Sequence, residues 1–192
     1  MTRANEEHRY LGKTDEPLSE KGIRFLQEKK KKSFFNAPEF LYASPMKRCV
    51  QTAEILFRRK PVLIPEWKEM DFGQFEGKNY EELKDDPCYQ KWIDSNGMLP
   101  FPGGESREDF KHRSLMGFQK AVTGCIRENV HRAALVIHGG TIMNIMEEYA
   151  DRQRPFYEWH VKNGGGYLIE LDPVSWQKGK YEFRICEAYM EG

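Results

Sequence analysis

Polar and cationic side chains follow two predicted strands of this sequence, at the point where each strand ends. Ser44 and Arg48 come after the apolar stretch EFLYAS, and His138 and Gly139 come after AALVI. Ligands of parallel α/β sheets bind beyond the carboxyl ends of the strands, so we expect these two places to meet. A histidine at a strand end, followed by glycines that let a ligand approach the backbone, suits the binding of an anion. Two simpler interpretations stay open: His138 only caps the next helix or bonds a neighbouring loop, and Arg48 forms a surface ion pair.

A third chemical group lies in a polar loop. Glu69 belongs to the segment WKEMDFGQFEG, in which carboxylates stand beside aromatic residues and glycines. Such neighbours remove water from a carboxyl group and can raise its pKa into the range of a general acid. The sequence therefore indicates a candidate acid at Glu69, with an ordinary exposed glutamate as the alternative.

Two strand–turn–helix units are predicted to position these residues. Apolar residues predict a buried strand over 39–44, and helical periodicity follows it with Pro45 near the first turn. A second buried strand is predicted over 133–137, with a helix after the two glycines. Strands that alternate with helices indicate an α/β layered fold with a mostly parallel sheet. The other predicted elements are a helix capped by Ser19, a strand at 61–65, helices at about 79–85, 87–94 and 106–129, strands near 166–171 and 181–189, and a turn at 172–179.

Composition limits the classes of protein to which this chain can belong. Its 192 residues, 39% of them hydrophobic, suit a single domain over residues 1–192. Lysine plus arginine equals aspartate plus glutamate at 30 each, so neither nucleic acid nor an anionic membrane is expected as a partner. The apolar runs are too short to span a bilayer, and the N-terminus lacks the apolar core of a signal peptide. A cytoplasmic protein is therefore expected.

The cysteines give no sign of a metal centre. They are scattered without the spacing of metal ligands, and two of them fall on apolar helical positions. We therefore expect no metal site, and we expect reduced packing residues at Cys49, Cys88, Cys125 and Cys186.

Four segments together resemble the histidine phosphatase (phosphoglycerate mutase-like) superfamily. SPMKRCVQTAEI matches the family element Ser-Pro-x-x-Arg-x-x-Gln-Thr-Ala, and EMDFGQFEG resembles its Glu-x-x-Phe-Gly-x-Trp-Glu-Gly loop. PFPGGES and VIHGGT resemble two later signatures, so the similarity extends over roughly residues 1–145. The resemblance implies a three-layer α/β/α sandwich with a mostly parallel central sheet. It also implies a metal-independent phosphomonoesterase that needs no cofactor and acts on a small phosphorylated metabolite.

The N-terminal segment fits this family only in part. The family signature reads Arg-His-Gly-x-Thr-x-x-Asn; Thr2 and Asn5 match its end, and residues 9–22 match the segment that follows it. The resemblance thus implies that the Arg-His-Gly motif and the first strand of the sheet are missing from this chain. That strand is expected to lie centrally, beside the strands that end at Ser44 and His138. A frayed N-terminal tail is the alternative.

The missing histidine is the family's nucleophile, so the 192-residue chain is expected to be inactive. In the complete enzyme a neutral histidine attacks phosphorus and forms a phosphohistidine. The resemblance implies that Glu69 protonates the leaving oxygen and then helps to activate water. With a central strand missing, we expect exposed strand edges, and an altered N-terminal region or a homodimer that covers the gap. The resemblance also implies that the phosphoryl oxygens are held by His138, Arg48, Asn5, Thr2 and the amide of Gly139.

The substrate is less defined than the reaction. DPCYQKWID and PGGES make the chain most similar to α-ribazole phosphatases, which act in cobamide nucleotide-loop assembly, and broad-specificity phosphatases look similar. Two alternatives remain, a non-catalytic protein that binds a phosphorylated ligand or an interaction partner, and a phosphoglycerate mutase. His8 stays open as a substitute nucleophile.

Overall fold

The computed structural model describes residues 1–32 and 37–189. Within these ranges no helix is long and apolar enough to cross a membrane. The strands are β1 Phe40–Ala43, β2 Val62–Leu63, β3 Ala133–Val136, β4 Gly166–Glu170 and β5 Arg184–Tyr189. The α-helices are α1 Arg3–Glu6, α2 Glu20–Lys32, α3 Lys47–Phe57, α4 Tyr80–Leu83, α5 Pro87–Asp94, α6 Arg107–Arg127, α7 Gly139–Tyr149 and α8 Pro173–Gln177. Short 3₁₀ helices lie at Pro65–Trp67, Gly73–Phe75 and Phe156–Trp159.

A parallel sheet with the strand order β2-β1-β3 lies at the centre of the fold. Phe40 pairs with Ala133 and Ala43 pairs with Val136, so β1 and β3 end side by side. Strand β2 is shorter than predicted because the chain turns into a 3₁₀ helix at Pro65. The predicted α/β fold with a parallel central sheet is confirmed.

Alternate side chains of β1 face opposite helical layers. Leu41 and Ala43 pack with Ala53 of α3 on one face of the sheet. Tyr42 points to the other face, where it joins the main core together with Phe118 of α6. Helices therefore cover both faces of the sheet, which gives the expected three layers.

Strands β4 and β5 form a separate antiparallel pair. Tyr167 and Ile169 of β4 and Ile185 of β5 pack against the same main core as the parallel sheet. A parallel bridge between Ala150 and Phe183 ties the start of β5 to the end of α7. The two sheets thus share one core without sharing a strand in the described part of the chain.

Only β1 has a strand partner on both sides among the described residues, so β2 and β3 each have one open edge in the parallel sheet, and β4 and β5 each have one in the antiparallel pair. Strand β3 has the apolar sequence of a strand buried on both faces, yet Ala133 is exposed and the rest of the strand is only half-buried. The predicted position of the missing first strand, beside the strand ends at both Ser44 and His138, needs a correction. Since β1 and β3 pair directly, no strand can lie between the ends at Ser44 and His138, and a further strand can join β3 at its outer edge alone.

A predicted helix and a predicted turn that pack against the main core had different outcomes in the structure. The long helix predicted over 106–129 is confirmed as α6. The turn predicted over 172–179 is wrong, because its first residues form the short helix α8. The side chain of Asp172 caps this helix by accepting hydrogen bonds from the backbone N–H groups of Val174 and Ser175.

The N-terminal residues are packed against α2. Thr2 and Asn5 form a capping box for α1, in which Thr2 Oγ1 accepts from Asn5 N at 3.2 Å and Asn5 Oδ1 accepts from Thr2 N at 3.0 Å. Ser19 N donates to Met1 O at 3.1 Å. A Cβ on Gly22 would lie 2.0 Å from the same carbonyl oxygen, so this approach requires glycine. The alternative of a frayed tail is therefore wrong.

The cysteines are free thiols in four different settings. Cys49 is buried and Cys125 is half-buried, as expected of packing residues. Cys88 lies on the surface side of α5, and Cys186 lies on an exposed position of β5. The prediction of packing residues is wrong for these last two.

Candidate active site

The structure brings Ser44 and His138 together at the carboxyl ends of β1 and β3. Ser44 N donates to Val136 O at 3.0 Å, which keeps the two chain segments side by side as they leave the sheet. Both side chains are buried, and Ser44 Oγ lies 2.8 Å from His138 Nε2. His138 is the N-cap residue of α7, but its side chain makes no capping hydrogen bond. The helix-capping interpretation is therefore wrong.

The imidazole of His138 is held in its neutral form. Burial lowers its pKa well below the ordinary 6.5, and the positive charges of nearby arginines, Arg48 first, lower the pKa further. Ser44 Oγ accepts a hydrogen bond from Met46 N at 3.3 Å, so its own hydrogen is free to be donated to Nε2. We therefore assign the imidazole hydrogen to Nδ1, which faces Glu69 Oε2 at 3.7 Å.

Glu69 is desolvated, as a general acid requires. Its side chain is 15% exposed, and burial raises its pKa by more than the hydrogen bond from Met70 N at 2.9 Å and the arginine charges lower it. The loop packs tightly on the start of α7 because residue 140 is glycine. A Cβ on Gly140 would lie 3.3 Å from Glu69 Oε1 and 2.8 Å from the ring of Phe110. The alternative of an ordinary exposed glutamate is wrong.

Arg48 is buried, with 8% of its surface exposed. Its Nη2 donates to Gly12 O at 2.9 Å and its Nη1 donates to Thr14 O at 3.0 Å. A guanidinium has five N–H donors, and no other acceptor in the described part of the chain binds those of Arg48. A Cβ on Gly12 would lie 1.9 Å from Met70 O, so glycine is needed where this segment passes the Glu69 loop. The surface ion pair is thus wrong, and Arg48 has further N–H donors without an acceptor among the described residues.

A buried thiol lies against the same imidazole. Cys49 Sγ is 3.6 Å from His138 Nε2. Burial raises the pKa of this thiol to about 12, so it stays protonated at neutral pH and is a poor nucleophile. We therefore interpret Cys49 as a packing residue of the site.

Thr2 and Asn5 are not joined to these side chains. Their side chains bond within their own capping box, and no hydrogen bond in residues 1–32 and 37–189 links either of them to Arg48 or His138. Gly139 is the first residue of α7, where a backbone N–H has no intrahelical partner. The phosphate-binding roles of these three residues stay predictions.

A second imidazole is not present at this site in the described residues. The other histidines of the chain are exposed, and none makes a hydrogen bond or ion pair with the side chains of Arg48, Glu69 or His138. His8 follows α1 with a left-handed backbone, φ 55°, and lies on the surface. The site therefore joins an acid, a cation and a neutral imidazole. The exposed histidines are His8, His112, His131 and His160.

Sequence reasoning missed an ion pair that supports the acid. Arg113 Nε and Nη2 donate to the two carboxylate oxygens of Glu105 at 2.6 and 2.7 Å, and Nη2 also donates to the backbone oxygen of Glu69 at 3.0 Å. A signal was available in the helical pattern. Arg113 stands three residues after Phe110, about one helical turn along α6 and at the border of its apolar stripe, where a charged residue needs a reason.

The sequence matches one family over almost its whole length. The family model described as the histidine phosphatase superfamily (branch 1) matches residues 1–183. A Bacillus subtilis (strain 168) protein named "Uncharacterized phosphatase PhoE" is 25% identical over 180 residues, which are 92% of this chain and 87% of that protein.

Two solved structures share the fold. The α-ribazole phosphatase from Shigella flexneri aligns with a TM-score of 0.79 and 20% identity, over 100% of this chain and 92% of that chain. The phosphoglycerate mutase from Thermus thermophilus aligns with a TM-score of 0.69 and 24% identity, over 100% of this chain and 95% of that chain. The family predicted from the motifs is therefore confirmed, and the chain belongs to the histidine phosphatase superfamily, branch 1.

Proposed function

We propose that this chain supplies the acid and the phosphate-binding groups of a metal-independent phosphomonoesterase. The observation that carries the proposal is the convergence of Arg48, Glu69 and His138, with 3.7 Å between Glu69 Oε2 and His138 Nδ1. Membership of a superfamily of phosphatases supports the same class of reaction.

The phosphoryl group is proposed to bind between the guanidinium and the imidazole. Its charge is spread over three oxygens and is best stabilised by donors that are already in place. Arg48 offers unused N–H groups and the positive charge, while His138 and the amide of Gly139 offer neutral donors. Thr2 and Asn5 are proposed as further polar donors on the N-terminal side.

Glu69 is proposed to act in both halves of the reaction. In the first displacement a histidine nitrogen bonds to phosphorus, the bond to the leaving oxygen breaks, and Glu69 gives its proton to that oxygen. In the second, a water oxygen bonds to phosphorus, the bond from phosphorus to the histidine nitrogen breaks and releases the imidazole, and the Glu69 carboxylate takes up a proton of that water. The raised pKa of Glu69 suits the first half because it favours the protonated carboxyl that the leaving oxygen needs.

The attacking histidine is proposed to come from a segment outside these 192 residues. The open edge of β3 supports this, because a parallel strand added there would end next to His138. We infer that the 192-residue chain alone binds phosphate and does not turn over phosphate esters. A homodimer that covers the open edges of β3 and β4 is proposed for the chain alone.

A small phosphorylated metabolite of the cytoplasm is the proposed substrate. The segments DPCYQKWID and PGGES support α-ribazole 5'-phosphate as the first candidate, in the synthesis of cobalamin-type cofactors. A broad-specificity phosphatase is the alternative within the same reaction class. No cofactor, nucleic acid or membrane takes part in the proposal.

Binding of inorganic phosphate to the 192-residue chain tests the proposed phosphate-binding site directly. Isothermal calorimetry is expected to detect binding, and Arg48→Met is expected to weaken it at least about tenfold, since one charge-assisted contact is lost. Arg127→Met is the matched control, because Arg127 carries the same charge on an exposed position of α6. If both substitutions weaken phosphate binding equally, phosphate binds through general surface charge. That result would refute the proposed phosphate-binding site at Arg48.

The coding DNA upstream of the Met1 codon tests the nucleophile. An in-frame apolar segment ending in Arg-His-Gly, together with turnover of p-nitrophenyl phosphate by the extended chain only, would support a phosphatase. A stop codon without such a segment would favour a non-catalytic phosphate-binding protein. That protein is the second candidate because the described residues contain no second buried histidine. Equilibration of 2- and 3-phosphoglycerate by the extended chain would identify a mutase instead.

A further inference from the structure

Arg113 uses every one of its donors on two partners, the carboxylate of Glu105 and the backbone of residues 66–69. A guanidinium has five N–H groups. Nε and one N–H of Nη2 bind the carboxylate of Glu105 at 2.6 and 2.7 Å. The other Nη2 hydrogen goes to the backbone oxygen of Glu69 at 3.0 Å, and the Nη1 hydrogens go to the backbone oxygens of Glu66, at 2.8 Å, and Lys68. All three carbonyl groups belong to the segment that leads into the candidate acid.

Glu105 binds the same loop on the other side of the acid. Its backbone N–H donates to Asp71 O at 3.0 Å, and its carboxylate accepts from Asp71 N at 3.4 Å. The guanidinium of Arg113 also lies over the ring of Phe110, 4.7 Å from its centroid. The loop is therefore held before and after Glu69 by two side chains that are themselves fixed to each other and to α6.

We propose that Arg113 and Glu105 are a positioning pair, which holds the Glu69 backbone so that the carboxyl group stays buried and faces His138. This inference rests on the proposed function only in taking Glu69 as the acid. The carboxyl group itself accepts a single hydrogen bond among the described residues, from Met70 N, so its direction depends on the backbone that carries it.

The fork shape of Arg113 matters more than its charge in this arrangement. Its positive charge lowers the pKa of Glu69, whereas the negative charge of Glu105 raises it, so the two charges oppose each other. The other charged group acting on Glu69 is Arg48, and His138 opposite it is neutral. A lysine at position 113 would keep the charge but could not reach three carbonyls and a carboxylate at once.

The test is to titrate Glu69 in the Arg113→Lys variant. Carbon-13 NMR of labelled glutamate carboxyls monitors the titration, and the Glu69→Gln variant identifies the Glu69 signal. We expect the midpoint to move to lower pH than in the unaltered chain, because the loosened carboxyl gains water. We also expect faster hydrogen exchange at the Met70 amide. Arg107→Lys is the control, because Arg107 lies on the same helix, over the ring of Phe156, and pairs with Glu147 without touching the loop.

A folded Arg113→Lys chain with an unchanged Glu69 midpoint and unchanged Met70 exchange would overturn the proposal. If that chain does not fold, Glu105→Gln replaces it. This variant leaves Arg113 in place and is expected to speed exchange at Met70, and unchanged exchange would again overturn the proposal. Neither readout needs phosphate binding or turnover, so failure of the positioning pair is distinguishable from failure of the proposed phosphatase.

Discussion

Replacing His138 by glutamine is expected to remove one pH dependence from the stability of this fold. The folded chain holds the imidazole buried, with its pKa well below 6.5, whereas in the unfolded chain the pKa returns to about 6.5. Below that pH the unfolded state binds a proton that the folded state does not bind. The contribution of the neutral imidazole is therefore complete above pH 6.5 and is lost as the pH falls below it.

The size of this stability effect follows from a difference of one bound proton between the folded and unfolded states. A difference of one bound proton changes the free energy of unfolding by about 1.4 kcal/mol per pH unit. Between about pH 7.5 and about pH 5.5, the unaltered chain should lose about 1.4 kcal/mol more than His138→Gln. Glu69 acts in the opposite direction, because its raised pKa lets the folded state bind a proton more tightly than the unfolded state. Glu69 is present in both chains, so its contribution largely cancels in the difference.

Urea unfolding at both pH values, followed by tryptophan fluorescence, measures this difference. His131→Gln is the matched control, since the same substitution at an exposed histidine should leave the pH dependence of the unaltered chain in place. Parallel loss of stability in the unaltered chain and in His138→Gln would refute the assignment of a buried neutral imidazole.

Two further substitutions test the contacts that form the site. Ser44→Ala removes the partner of the buried imidazole and should lower the free energy of unfolding by about 1–3 kcal/mol; a urea midpoint equal to that of the unaltered chain would contradict the hydrogen bond at 2.8 Å. Gly12→Ala places a Cβ 1.9 Å from Met70 O and should cost about 1–3 kcal/mol in thermal unfolding. In the control Gly139→Ala the new Cβ meets nothing within 4 Å, so equal melting temperatures for the two glycine variants would show that the predicted overlap is absent.

Local patterns were enough to predict the elements that carry the site. Helical periodicity after EFLYAS and after AALVI marked both strand–turn–helix units, and the rule for parallel sheets placed Ser44 and His138 at one edge. The short helix α8 was missed although a local signal existed. Asp172 followed by Pro173 is a helix cap followed by a proline suited to the first turn.

The contacts within the site depend on residues far apart in the chain, which no local pattern reveals. The hydrogen bond between Ser44 and His138 spans 94 residues, and that from Arg113 to the backbone of Glu69 spans 44. The requirement for glycine at position 12 arises only when the Glu69 loop packs against it. Direct pairing of β1 with β3, which moved the open edge to the far side of β3, is likewise a property of the assembled sheet.

Burial shifts both the acid and the imidazole of this site towards their uncharged forms, while the charge of Arg48 remains. His138 is neutral, and Glu69 is shifted towards its protonated form. The charge of Arg113 is matched by its ion pair with Glu105, whereas Arg48 forms no ion pair in the described part of the chain. A phosphate dianion bound at Arg48 would raise the pKa of the nearby carboxyl further, since like charges oppose ionisation. Substrate binding would thus help to keep the proton on Glu69 until the leaving oxygen takes it.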